Sequence, residues 1–350
     1  MLYTPKIHTA ESVTSGHPDK VCDQVSDAIL DECLRQDPKS RVAIETFGCH
    51  GLLVIGGEIT TRAELDSVKI AREVYSGIGY KDNLEILTRV VKQSPDIAQG
   101  VDTGGAGDQG IMYGYATDET PQLLPKAIVL AHQLTRGLQE LRESGEVPWL
   151  KPDGKSQVTI EGEKIKTILI SVQHDEKISQ PKIKKILTDK LIKLLVGNIK
   201  GVEILVNPTG IFTVGGFAAD TGLTGRKIIV DTYGGVVPHG GGAFSGKDPT
   251  KVDRSAAYMC RFVAKNIVAN KLAKKCLVSV AYAIGRAEPL MVEVVDENGK
   301  SLAYLINKKF DFRPKAIIER LDLRKPIYMQ TASYGHFSRS DFSWEQIIKL

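Results

Sequence analysis

Between Gly240 and Asp253 the chain reads Gly-Gly-Gly-Ala-Phe-Ser-Gly-Lys-Asp-Pro-Thr-Lys-Val-Asp. Three consecutive glycines give the backbone wide freedom and leave no side chain to block a ligand. Lys247 and Lys251 follow, alternating with Asp248 and Asp253. Bare amides, ammonium groups and carboxylates at this density suit a polyphosphate with its metal ions. A strand is expected over 227–233 and a helix after the loop, a common place for anions in α/β proteins. Gly241, Gly246 and Lys247 fit the first seven positions of the P-loop pattern G-x-x-x-x-G-K-[ST]. The eighth fails, because Asp248 stands where a hydroxyl should reach Mg²⁺ and would repel phosphates. On local evidence the stretch is a phosphate site of another kind or a flexible surface turn.

A second cluster, Gly16-His17-Pro18-Asp19-Lys20, sits near the start of the chain. Pro18 favours the first turn of a helix. Val21, Val25, Ala28, Ile29 and Cys33 make one apolar stripe behind it. The helix must stop near Gln36, because Asp37 precedes Pro38. His17, Asp19 and Lys20 therefore crowd a helix start, which attracts anions, and Asp19 could hold a cation between protein and anion. The plainer readings are a cap for His17 and a first-turn charge for Asp19.

Other elements must carry these clusters. Strands are expected over 41–47, containing Glu45, and 52–60, containing Glu58. Glu58 in so apolar a run needs a partner, a cation or an edge facing water. A helix is expected over 63–78. Residues 93–110 lack periodicity and read as a functional lid or a linker. Gly105–Gly110 is followed by a strand at 111–116 rather than a helix, which argues against a dinucleotide fingerprint. Thr120-Pro121 reads as a helix start with a core stripe through Leu141. Lys151–Gln157, with Asp153 and Lys155, reads as a polar turn. A strand over 166–174 and a lysine-studded helix over 180–196 follow. The turn 207–212 ends in Phe212. Asp220 to Lys227 sets Arg226 and Lys227 beside two glycines. A helix over 252–269, a strand over 276–284 and a helix over 314–321 complete the reading, with Trp149, His336 and Trp344 as packing residues.

At 350 residues the chain has room for two or three domains. An apolar content of 42% and a charged content of 25% are ordinary for a globular protein. A net charge of +4, with no basic face carrying aromatics, does not point to nucleic acid. Five cysteines without a C-x-x-C pair argue against a disulfide framework and a zinc cluster, and fit a reducing, cytoplasmic compartment. Residues 1–10 lack an apolar leader, and no apolar run reaches 18 residues, so neither secretion nor a membrane span is expected. One pattern recurs: a Gly-rich turn, a helix and later an apolar strand. The helices start near Pro18, Pro121 and Val252, and the strands are 52–60, 166–174 and 276–284. The expectation is an α/β chain (α+β type) of three related domains, each a sheet covered by helices.

Four stretches in this order, 16–20, 105–110, 220–227 and 240–248, resemble the S-adenosylmethionine synthetase (methionine adenosyltransferase) family of bacterial and eukaryotic type, over nearly the whole chain. The resemblance implies three similar domains about a pseudo-threefold, falling here near 1–98, 104–221 and 223–350. It implies attack of the methionine sulfur on C5′ of ATP, then hydrolysis of the triphosphate to pyrophosphate and phosphate. A thioether needs no general base, and no activating triad stands out. The resemblance also implies sites at a homodimer interface, dimers that pair into tetramers, and two Mg²⁺ and a K⁺ per site.

Residue by residue it implies a catalytic set of His17, Lys155, Arg226 and Lys247. His17 would touch the phosphate chain near the breaking bond, and Lys155, Arg226, Lys227 and Lys247 would hold phosphates. Phe212 would stack on adenine, with Ala243 and Asp153 also at the nucleotide. Glu58, Gln93, Asp220 and Lys251 would surround methionine. Asp19 and Asp253 would ligate Mg²⁺, and Glu45 would serve K⁺. Asp108 also matches. The segment from Gln93 to Gly105 is shorter than in many bacterial members, and few residues follow Trp344. The alternatives are a phosphotransferase or ATPase using the P-loop-like segment, which would release ADP, and a silent regulatory relative.

Overall fold

Strand β1 (Ile7–Val13) gives way to helix α1 (Pro18–Gln36) at a cap made by His17, whose Nδ1 accepts the Asp19 amide at 3.2 Å. Pro18 occupies the first helical position, where its missing N–H is no loss. Val21, Cys22, Val25, Ile29, Leu30 and Cys33 are fully buried along the helix. The computed structural model describes residues 5–93, 104–306 and 309–350, and the lid expected beyond Gln93 lies largely outside them.

Three sheets follow one plan. After α1 come β2 (Arg41–Cys49) and β3 (Leu52–Thr60), an antiparallel hairpin, then α2 (Ser67–Ile78) and β4 (Glu85–Val91), parallel to β3. After β5 (Gly110–Thr117) come α3 (Lys126–Glu143) and the hairpin β6 (Leu150–Glu161) and β7 (Lys164–His174). Helix α4 (Gln180–Leu187), prolonged by a π turn and a last α turn to Val196, then leads to β8 (Glu203–Val206), parallel to β7. The short β9 (Gly222–Leu223) precedes α5 (Val252–Ala269) and the hairpin β10 (Lys275–Tyr282) and β11 (Met291–Asp296), followed by α6 (Pro314–Arg320).

Each sheet borrows its outer strand from another repeat. The orders are β9-β2-β3-β4, β1-β6-β7-β8 and β5-β10-β11. The strand before α1 joins the sheet after α3. The strand before α3 joins the sheet after α5. The strand before α5 joins the sheet after α1. The exchange is cyclic, so the three sheet-plus-helix units are threefold in their connectivity as well as in their layout. One apolar cluster runs through the first and third units, and a second fills the middle one.

Several local expectations change. Residues 227–233 hold no strand; Ile228–Asp231 is a short helix closed by the Asp231 amide on Lys227 O at 2.9 Å. Its β-branched residues suggested a strand, but tertiary context overrides propensity in so short a run. Lys151–Gln157 is not a turn, since β6 runs straight through it. Pro152 falls where the β6–β7 register shifts between Leu150 and Gly154, so no ladder bond is asked of it. Thr120-Pro121 forms a turn, and α3 starts six residues later at Lys126. Leu124 precedes Pro125, which disfavours a helical conformation there.

Trp344 and His336 are fully buried, and the Trp344 ring stacks on Tyr258 at 3.9 Å. The five cysteines are free. Among the described residues no helix is long and apolar enough to cross a membrane.

Candidate active site

The start of α1 gathers one set of charged groups. Asp19 is 1% exposed, and its Oδ1 accepts the Leu223 amide of β9 at 3.0 Å. Its Oδ2 lies 2.5 Å from Lys227 Nζ, and Arg226 Nε is 3.6 Å from Oδ1. His17 beside it is buried. Burial first, then the charges of Lys227 and Lys155, pushes its pKa down to about 2. The ring is therefore neutral near pH 7. Because Nδ1 accepts the Asp19 amide, the hydrogen sits on Nε2, which is left to donate.

Strand β6 brings two more candidates to the same place. Lys155 is exposed and pairs in register with Val13. Asp153 is buried, and its Oδ2 accepts the Gly216 amide at 2.9 Å. Among the described residues its Oδ1 has no hydrogen-bond partner. Burial raises this carboxyl to about 6, against the bonds from Gly216 and the charge of Lys155. Asp220 is exposed and bears electrostatically on both His17 and Asp153. Phe212 is half-buried and exchanges two bonds with His174, its amide giving to Nε2 at 3.1 Å.

The start of α5 gathers the second set. Lys247 Nζ lies 2.5 Å from Asp253 Oδ2, and Lys251 Nζ lies 2.6 Å from Asp248 Oδ2. Asp248 is fully buried, taking the Val42 amide at 2.8 Å and the Thr250 hydroxyl at 2.7 Å. Burial pushes its carboxyl up, but Lys251 and these bonds outweigh that and hold it below the usual range. Asp248 therefore braces the loop and faces no ligand. Lys247 bridges to Ala43 of β2, which pairs in register with Glu58 of β3. Glu45 is exposed two residues further along β2.

The two sets meet at one contact. Gly225 has φ +79°, and a Cβ there would lie 2.3 Å from the Ala243 Cβ. Only glycine lets the 220–227 and 240–247 loops pack so closely.

The residues expected around methionine are less gathered. Gln93 gives its amide to Thr60 Oγ1 at 3.3 Å, at the end of β3, a central strand that also carries Glu58. Among the described residues no hydrogen bond or ion pair joins Glu58, Gln93, Asp220 and Lys251 to one another. Asp108 is exposed and accepts the amide of Gln109.

A feature absent from the sequence reading organises both sets. One face of α1 carries Asp19, Asp23, Asp27 and Asp31, four residues apart. Asp23 Oδ1 accepts the Gly225 amide and Asp27 Oδ1 the Gly246 amide, each at 2.8 Å. Asp31 accepts the amides of Tyr328 and Met329. Behind them, Arg254 of α5 grips both oxygens of Asp27 at 2.6 and 2.8 Å, with both side chains fully buried. Lys20 bonds Asp23 at 2.9 Å and also Asp231. The period of four was the available signal, but aspartates on a helix are more often solvated.

This arrangement can hold a polyanion. Burial and the nearby acids push the Cys33 thiol up to about 12, the mark of an inert cysteine. Among the described residues no group of three or more His, Cys, Asp and Glu gathers for a metal. Mg²⁺ in phosphate sites is commonly held by one or two carboxylates and the phosphates themselves, so Asp19 and Asp253 fit that donor set. A 520 Å³ cleft lined by Ser15, Asp31, Glu73 and Gln139 includes none of the candidates, whereas a smaller pocket beside the glycine loop is lined by Gly240, Gly242, Phe244 and the candidate Asp253.

Comparison with known proteins matches three family models in succession: "S-adenosylmethionine synthetase, N-terminal domain" over 5–96, "central domain" over 103–212 and "C-terminal domain" over 214–346. The chain is 50% identical over 370 residues to a protein of Mesoplasma florum named S-adenosylmethionine synthase, covering 99% of this chain and 98% of that one. It is 52% identical over 367 residues to a protein of the same name from Sorangium cellulosum, covering 97% and 87%.

Proposed function

The chain belongs to the S-adenosylmethionine synthetase family, and on that premise we propose how its residues divide the work. The chain is a methionine adenosyltransferase and forms S-adenosylmethionine from ATP and L-methionine. The sulfur lone pair bonds to C5′, the C5′–O bond breaks, and its electrons leave with the triphosphate. Such a reaction needs positioning of sulfur against carbon and stabilisation of the charge that gathers on the leaving group.

Lys155, Arg226, Lys227 and Lys247 hold the triphosphate. His17, neutral and donating through Nε2–H, bonds the oxygen on which charge develops. Asp153, with its unpaired buried Oδ1, meets the nucleotide, along with Ala243 and Phe212. Glu58, Gln93, Asp220 and Lys251 form the methionine side. The enzyme is metal-dependent; Asp19 and Asp253 would hold two Mg²⁺ and Glu45 a K⁺, which would supply positive charge against the phosphates. The observation that carries this division is the pair of matched lysine–aspartate contacts, Lys227 with Asp19 and Lys247 with Asp253.

A homodimer, itself able to pair into a tetramer, completes the site. The face of the first sheet away from α1 exposes Phe47, Leu87, Val91 and Leu223 beside Glu45, an apolar surface of the kind covered by a second copy. The cytoplasm is the compartment that suits five free cysteines.

The phosphotransferase reading is not supported. Asp248 is a buried brace, and no strand at 227–233 feeds the loop. Calorimetry with tripolyphosphate and Mg²⁺ tests the assignment. Lys227→Met and Lys247→Met should each weaken binding, and unchanged binding in both would contradict it.

A further inference from the structure

The two basic segments assigned to the triphosphate are separated in sequence but are fastened in the same way. Gly225 immediately precedes Arg226 and Lys227, and Gly246 immediately precedes Lys247. Each glycine gives its amide to an aspartate of α1 at 2.8 Å, Gly225 to Asp23 and Gly246 to Asp27. Both glycines have φ +79°. A Cβ on Gly246 would lie 1.8 Å from the Ile44 carbonyl oxygen, so the backbone there is pressed against β2.

Successive aspartates of α1 are four residues apart, which sets the tethers about 6 Å from one another along a rigid rod. The rod begins at His17. A helix that carries the neutral histidine at its end thus also fixes the spacing between the two segments. The carboxylates are themselves locked. Asp27 is held by Arg254 through both oxygens, and Asp23 by Lys20. The fourth aspartate, Asp31, makes bonds of the same kind to Tyr328 and Met329, a stretch with no residue assigned to substrate.

We propose that Asp23 and Asp27 are positioning residues for the reaction, each setting one basic segment of the triphosphate site through the amide of the glycine before it. The proposal rests on the assignment of Arg226, Lys227 and Lys247 to the phosphates. A carboxylate that accepts a backbone amide places the next residue's Cα, and so the reach of its side chain. A misplacement of about 1 Å lowers rate on the order of 10²-fold without changing which groups are present.

The test compares Asp23→Ala, Asp23→Asn and Asp31→Ala in the full chain, measuring kcat, KM for both substrates and melting temperature. Asp23→Ala should lower kcat tenfold or more with KM for methionine little changed. Asp23→Asn keeps an acceptor for Gly225, though its amide nitrogen then faces the Lys20 ammonium, and should recover part of that loss. Asp31→Ala removes a like bond and should lower the melting temperature without lowering kcat of the folded enzyme. If Asp23→Ala does not fold, Asp23→Ser replaces it, since a hydroxyl one bond shorter stays polar beside Lys20 yet falls short of Gly225. Wild-type kcat in Asp23→Ala or its Ser substitute would overturn the proposal. So would an Asp23→Asn enzyme as slow as the Ala variant, or an equal kcat loss in Asp31→Ala at a matched loss of stability. If Lys227→Met and Lys247→Met are themselves unimpaired, the phosphate assignment has failed; if they are slow while Asp23→Ala is not, positioning alone has.

Discussion

Lys227 Nζ lies 2.5 Å from Asp19 Oδ2, so a residue assigned to phosphate neutralises one assigned to metal. Lys247 and Asp253 repeat the pairing at the start of α5. Mg²⁺ bound to the carboxylate and phosphate bound to the ammonium would each replace half of the pair. On the proposed assignment, binding would be an exchange of partners rather than a net burial of uncompensated charge.

The exchange separates the two halves of each pair. Asp19→Asn should raise the Mg²⁺ concentration for half-maximal activity by roughly tenfold or more. Lys227→Met should leave that requirement unchanged or lower it, since Asp19 then loses its nearer cationic competitor and keeps Arg226 at 3.6 Å. Activity measured across a Mg²⁺ titration distinguishes the two, and a raised requirement in both would count against the exchange.

Lys247→Met should lower kcat by roughly 10²–10³-fold, the usual loss when one group that meets developing charge is removed. Its effect on KM for ATP should be smaller, because the charge matters most as the leaving group forms. Steady-state kinetics with wild-type kcat and only weaker ATP binding would contradict the role.

Gly246→Ala should destabilise the fold by about 2 kcal/mol or more. The residue has φ +79°, strained for any side chain, and the new Cβ would meet the Ile44 carbonyl oxygen. Urea unfolding measures the change. Gly51→Ala has a similar φ, +82°, but nothing within 4 Å, and should lose less.

Asp31 gives stability a pH dependence. Burial raises its carboxyl from 3.8 to about 7, against the amides of Tyr328 and Met329 that favour the charged form. The folded state therefore keeps a proton that the unfolded chain releases. Its contribution is present below about pH 4 and is lost as pH rises toward 7, on the order of a few kcal/mol in all. Asp31→Asn should gain stability relative to wild type between pH 5 and pH 8. A constant difference across that range would contradict the shift.

Much of this was legible in the sequence. The capped start of α1 follows from Pro18 and an apolar stripe, and α5 and β3 lie where their periodicity puts them. What was illegible depended on distant partners. Ile228–Asp231 reads as a strand until Lys20 is seen to claim Asp231. Asp153 and Lys155 read as a turn because the register shift that accommodates Pro152 is set by β7. Asp23 and Asp27 carry no local signal of their role, since nothing near them in sequence shows that glycines some 200 residues away approach them. The cyclic exchange of outer strands is likewise a property of the whole chain.

The most direct measurement supplies the full chain with ATP, Mg²⁺, K⁺ and labelled methionine, and identifies every product. The account predicts a labelled sulfonium compound, with pyrophosphate and phosphate formed in equal amounts. Folded protein that releases ADP, or that forms no labelled sulfonium, would contradict it.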